Sequence, residues 1–170
     1  MRSVSSIVSI LPIVPVVLAA GAMLAAPAAA QAGDEAAATL VERGRYLARI
    51  AACNDCHTPN YAATEGKVPE AEWLTGDRLG WQGEWGTSYP ANLRRFFART
   101  SEADWLRIAR GREFRPPMPG VILRDMSDDD LRALWHYVRA LGSAGEEMPA
   151  WLPPGQEPTG PVVRFPMAGH

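Results

Sequence analysis

Cysteine is nearly absent from this chain: Cys53 and Cys56 are the only two, so the one disulfide it could close within itself would join them. Lysine is scarcer, with Lys67 alone, so any positive face must be built from arginine, whose planar fork keeps its charge in partly buried contacts. An excess of one charge is also missing. The chain has 17 basic and 19 acidic residues, and removing residues 1–30 with Arg2 leaves 16 minus 19, a net −3. That balance argues against a nucleic-acid-binding protein. Beyond residue 24 no apolar run is long enough to span a bilayer, and no internal repeat is found.

What the chain does have begins at its N-terminus. Arg2 precedes an apolar run from Ile7 to Leu24, and Ala28-Ala29-Ala30 offers the small-x-small site of a signal peptidase. The pattern predicts a cleavable signal peptide over 1–30, cut after Ala30, and a periplasmic location. The other reading, a retained anchor, needs about 20 apolar residues. Ser9, Pro12 and Pro15 interrupt the run. The remaining 140 residues suit one domain over 31–142, followed by a proline-rich extended tail over 143–170. With Pro149, Pro153, Pro154, Pro158, Pro161 and Pro166, that tail cannot form a long helix or an inner strand. Trp151, Leu152, Val162, Val163 and Phe165 make it too apolar for a solvated linker, so it lies against the domain or a partner.

Three helices are predicted. Residues 39–52 repeat Leu40, Gly44, Leu47 and Ala51 along one face, with Gly44 as a notch for a second helix. Residues 102–110 carry Trp105, Leu106 and Ala109 on their apolar face, with Gly111 as terminator. Residues 128–141 have Ser127 as N-cap, three aspartates in the first turn and Gly142 beyond the end. Its stripe of Leu131, Leu134, Trp135, Val138 and Leu141 would press Trp135 and its neighbours into the Gly44 notch. Residues 58–100, rich in glycine and tryptophan without sustained period, are predicted to be ordered loop.

Cys53-Asn54-Asp55-Cys56-His57 carries the chemistry. Two thiols and an imidazole in C-x-x-C-H order suit covalent attachment of haem, with His57 supplying one axial nitrogen to iron. A structural disulfide and a thioredoxin-like dithiol are the other readings, and neither explains why a histidine follows at once. For the second axial position Met118 is favoured over Met126, Met148 and Met167. It lies in Arg115-Pro116-Pro117-Met118-Pro119, where prolines hold φ and so hold a thioether in place. Met126 is read as a hydrophobic staple on Leu131, His136 as solvated and His170 as terminal.

Together, the Cys53-x-x-Cys56-His57 motif after a glycine-containing helix, the proline-flanked Met118 and a C-terminal helix with Trp135 resemble a class I cytochrome c over about residues 37–142. Trp85-Gly86-Thr87-Ser88-Tyr89-Pro90-Ala91-Asn92-Leu93 and the Met118 loop are similar to single-haem domains associated with periplasmic sugar and alcohol dehydrogenases. The resemblance implies an all-α fold, with crossing N- and C-terminal helices and long ordered loops around one covalent haem c. It implies thioethers at Cys53 and Cys56, axial ligands His57 and Met118, and a non-catalytic, one-electron shuttle. Its partners would be a dehydrogenase or quinol-oxidising complex as donor and an oxidase or reductase as acceptor. Two alternatives stand beside the free carrier: a subunit bound to a periplasmic dehydrogenase, and a haem enzyme or gas sensor with an open distal site. The run from Arg94 to Arg115 has seven arginines against three acids and is a candidate steering face for an acidic partner.

Overall fold

The computed structural model describes residues 28–166. The expected signal peptide lies mostly outside them, except that Ala28, Ala29 and Ala30 belong to the first helix. That helix, α1 (Ala28–Ile50), starts well before the expected Thr39, because the alanine-rich stretch ahead of it has high helix propensity. It is followed by α2 (Cys53–His57), a 3-10 turn (Glu70–Glu72), α3 (Leu93–Ala98), α4 (Glu102–Gly111), α5 (Gly120–Asp125) and α6 (Asp128–Leu141). Side-chain caps mark three starts: Asn92 accepts from the Arg95 amide, Ser101 from Asp104 and Ser127 from Asp130.

The core is helix against helix. Leu47 and Ala48 of α1 meet Leu131, Ala133, Leu134, Tyr137 and Val138 of α6, with Phe97 and Trp105 closing one side. Gly44 is the close approach between α1 and α6. A Cβ there would overlap the Ala133 carbonyl and the Tyr137 Cβ. The notch therefore receives Ala133 and Tyr137, not Trp135. The Trp135 indole instead donates to Thr100 O at 2.9 Å and lies on the α3–α4 side. The Trp105 indole donates to Leu131 O at 2.8 Å and ties α4 to α6.

The expectation of an all-α class I cytochrome c fold is corrected here, because the chain also builds a three-stranded mixed sheet in the order β2-β1-β3. Strands β1 (Gly80–Gly83) and β2 (Gly86–Ser88) form an antiparallel hairpin turning at Glu84-Trp85, where Gly86 takes a φ of 90° that favours glycine. The third strand, β3 (Val162–Arg164), comes from the tail and pairs parallel to β1, with Trp81 opposite Val163. Residues 58–100, expected as loop, thus supply two strands and α3. The strands are too short for a periodic signal, and the parallel pairing joins segments far apart in sequence. Helix α5 was likewise not expected. The tail does keep to an edge strand, as its prolines require. Among the described residues no helix is long and apolar enough to cross a membrane.

Candidate cofactor cavity

The C-x-x-C-H motif occupies α2. Ala52, in the left-handed region at φ 58°, turns the chain out of α1 and lets a new helical turn begin at Cys53. Within one turn, residues three and four apart share a face, so Cys53, Cys56 and His57 point the same way. The opposite side is anchored. Asn54 and Thr58 are buried, the Thr58 hydroxyl donates to Asn54 Oδ1 at 2.8 Å and accepts from the Leu74 amide at 2.8 Å, and the Gly76 amide donates to His57 O at 2.8 Å.

His57 Nδ1 lies 2.7 Å from Ala91 O. A carbonyl can only accept, so Nδ1 carries the proton and Nε2 keeps its lone pair in the neutral ring. Desolvation lowers the His57 pKa from its ordinary value, against the smaller opposing effect of the Ala91 hydrogen bond. The imidazole is thus held neutral, oriented and able to ligate a metal. Both cysteines are free. Burial pushes the Cys53 thiol up to about 11 and raises Cys56 too, aided there by the charges of Asp55 and Asp77. A thioredoxin-like dithiol needs a depressed thiol pKa, so this environment runs against that reading.

These three side chains line a cavity of about 580 Å³, predominantly apolar, to which α1, α3, α4, α5 and α6 all contribute. Met118 lines it as well, brought in by the loop between α4 and α5, where the Met118 amide donates to Arg115 O at 3.2 Å and the Gly120 amide to Met118 O at 3.0 Å. Protein interiors hold few voids larger than a water molecule, and a cavity of this size has the dimensions of a cofactor site. Two buried donors in its wall, Trp81 Nε1 and Ser88 Oγ, have no hydrogen-bond partner among the described residues. Arg112 lines it too, with its guanidinium over the Phe114 ring.

The donor set suits a haem. Cys53 and Cys56 would tether it, His57 and Met118 would be available to its iron, the apolar lining would receive the macrocycle, and Trp81, Ser88 and Arg112 each offer donors that its carboxylates could use. Among the described residues no group of three or more His, Cys, Asp or Glu could hold a metal ion.

Met126 precedes the Ser127 cap and packs on the core, and it also lines the cavity. Met148 packs beside Gly76 and does not line it. His136 is half-buried, with Nε2 3.4 Å from Glu102 Oε2. Met167 and His170 lie outside the described residues. The arginine run is largely used within the chain. Arg94 is buried and donates to Gly142 O and Ala71 O at 2.6 Å each and to Leu141 O. Arg95 and Arg99 pair with Glu147 at 3.0 and 2.6 Å, Arg107 pairs with Asp104, and Arg110 pairs with Asp128 at 2.7 Å.

Trp81, one of the tryptophans of the 58–100 segment, lines the cavity, whereas Ala91, Ser88 and Trp151 were not legible as single site residues. Ala91 acts through a backbone carbonyl, which has no sequence signature. Ser88 and Trp151 reach the cavity only through the hairpin and the docked tail. Comparison with protein-family models, with curated proteins and with solved structures finds no match for this chain.

Proposed function

We propose that this chain is a one-electron carrier that binds a single haem c through thioether bonds at Cys53 and Cys56, with His57 and Met118 as axial ligands. We place its work in the periplasm, between a dehydrogenase or quinol-oxidising complex and a terminal acceptor. The observation that carries this reading is the convergence of Cys53, Cys56, His57 and Met118 on one apolar cavity, although Met118 is far along the chain, in the loop between α4 and α5. Haem supplies a reversible one-electron couple at iron. The chain's residues do the rest: Ala91 O holds the His57 ring, the proline-flanked loop presents the Met118 thioether, and the apolar wall keeps water out. A thioether ligand and burial both raise a haem potential, which suits transfer over oxygen chemistry.

The free carrier is favoured over the bound dehydrogenase subunit because the backbone of the tail, which suggested a partner surface, is paired with the chain's own hairpin, although Trp151 and Val163 keep exposed apolar surface. The Leu152 amide donates to Thr87 O at 3.0 Å, the Thr87 amide to Leu152 O at 2.8 Å, and β3 pairs with β1. The test begins with the exported protein. Acid-acetone extraction is expected to leave haem with the polypeptide, and the ferric spectrum to show the weak red band of methionine ligation. Met118→Ala is expected to admit carbon monoxide and lower the potential, whereas Met126→Leu, of similar volume, should do neither. Free haem in the solvent overturns the covalent reading, and rapid carbon monoxide binding by the wild type moves the assignment to the enzyme or sensor.

A further inference from the structure

The tail after α6 is tied to two segments that contribute to the cavity wall. At its start, Asn92 Nδ2 donates to Ala144 O at 2.8 Å and Glu146 O at 2.9 Å, close to the Ala91 carbonyl that orients His57. Farther on, Trp151 lines the cavity and its indole donates to Trp85 O at 2.9 Å in the hairpin turn. The Arg115 guanidinium lies over the Trp151 ring at 4.2 Å from the centroid. Arg115 is also the residue whose carbonyl accepts from the Met118 amide. The neighbouring residue Leu152 is fixed by two backbone hydrogen bonds to Thr87. Any Cβ at Gly86 would run into Leu152 O, so the tail fits tightly at that point. Trp151 is therefore held from the hairpin side while gripping the Met118 loop from the other.

We propose that Trp151 is a positioning residue for Met118: its stack with Arg115 braces the 115–120 loop against the cavity and keeps the thioether in place. The proposal rests on the reading of Met118 as the distal ligand. Two measurements on the purified holoprotein test it. The first is backbone amide exchange over 115–120. The second is the apparent affinity of the ferric protein for added imidazole, which can bind only when the loop has opened and so scales with the open population.

Trp151→Ala is expected to speed exchange and to raise imidazole affinity, each by about fivefold, the factor given by the loss of a cation–π contact of about 1 kcal/mol. Trp151→Phe keeps the ring and is expected to restore most of both. In the Arg115→Gln, Trp151→Ala double variant, little should be lost beyond either single change, because the two act through one contact. Unchanged exchange and imidazole affinity in Trp151→Ala overturn the proposal, as does full additivity in the double variant. A wild type without the red band overturns the methionine ligation proposed above, and amide exchange then decides the brace by itself.

Discussion

Arg94 shows how much one side chain can be worked by its surroundings. Its guanidinium reaches three backbone carbonyls, two at the end of α6 and one at Ala71, so it satisfies groups that a helix C-terminus leaves without partners. A planar fork with fixed donors can do this, while a single ammonium cannot reach all three. Arg94→Lys is expected to cost about 2 kcal/mol, the scale of buried carbonyls left unpaired, read as a fall in the denaturant midpoint at unchanged slope. A midpoint within error of the wild type would show the fork to be redundant. At the same scale, Glu70 accepts from the Tyr137 hydroxyl at 2.9 Å and from Arg45 at 2.9 Å, which ties α1, the 3-10 turn and α6 at one point. Desolvation and the hydrogen bond to Glu70 raise the Tyr137 pKa, so its hydroxyl stays a donor throughout the ordinary pH range.

Between elements, α1 and α6 cross at a close distance, and α2 with the motif follows α1 directly. Gly44 sets that distance, because the Ala133 backbone occupies the space a Cβ would need. A backbone neighbour cannot swing aside as a side chain can, so the helices must separate. Gly44→Ala is expected to destabilise the fold by about 2–3 kcal/mol through overpacking, despite the gain in helix propensity. Thermal unfolding measures it. A neutral or stabilising result would mean that the helices cross elsewhere. The β1–β2 hairpin matters at this scale as well, since its turn and its Thr87 edge give the tail a docking place.

Across the whole molecule, charge is arranged to hold the tail down, and less of it is left for partners than the arginine run suggests. Glu147 accepts from Arg99 and Arg95, and these hydrogen bonds, Arg99 first, hold its pKa below the ordinary carboxylate value. The Arg110 hydrogen bond does the same for Asp128. A folded value below the unfolded one means that this stabilisation is present above the ordinary carboxylate value and is lost as pH falls from there through the lower folded value. Acidification from about pH 6 to about pH 3 is thus expected to lower the unfolding temperature, with a shallower fall in Glu147→Gln. An identical pH slope in the variant would remove Glu147 from the account. Charge reversal at Arg95 and Arg99 would set like charges against Glu147. A slowed association in such a variant would report a loosened tail as much as lost steering.

By itself the sequence determined whatever depends on residues close along the chain. Ser127, the aspartates after it and Gly142 delimit α6 because capping is a matter of a few neighbouring atoms. Cys53, Cys56 and His57 share a face because one helical turn puts them there. The proline-flanked Met118 stood out for a similarly local reason. Tertiary structure alone decided that the fold carries a mixed sheet, that Tyr137 and not Trp135 sits at Gly44, that Ala91 orients His57, and that Trp151 reaches back to the Met118 loop. Each of these joins segments far apart in sequence through a backbone carbonyl, a short strand or a ring contact. Such partners leave no periodicity to read, because the chain's path through space, and not its local pattern, brings them together.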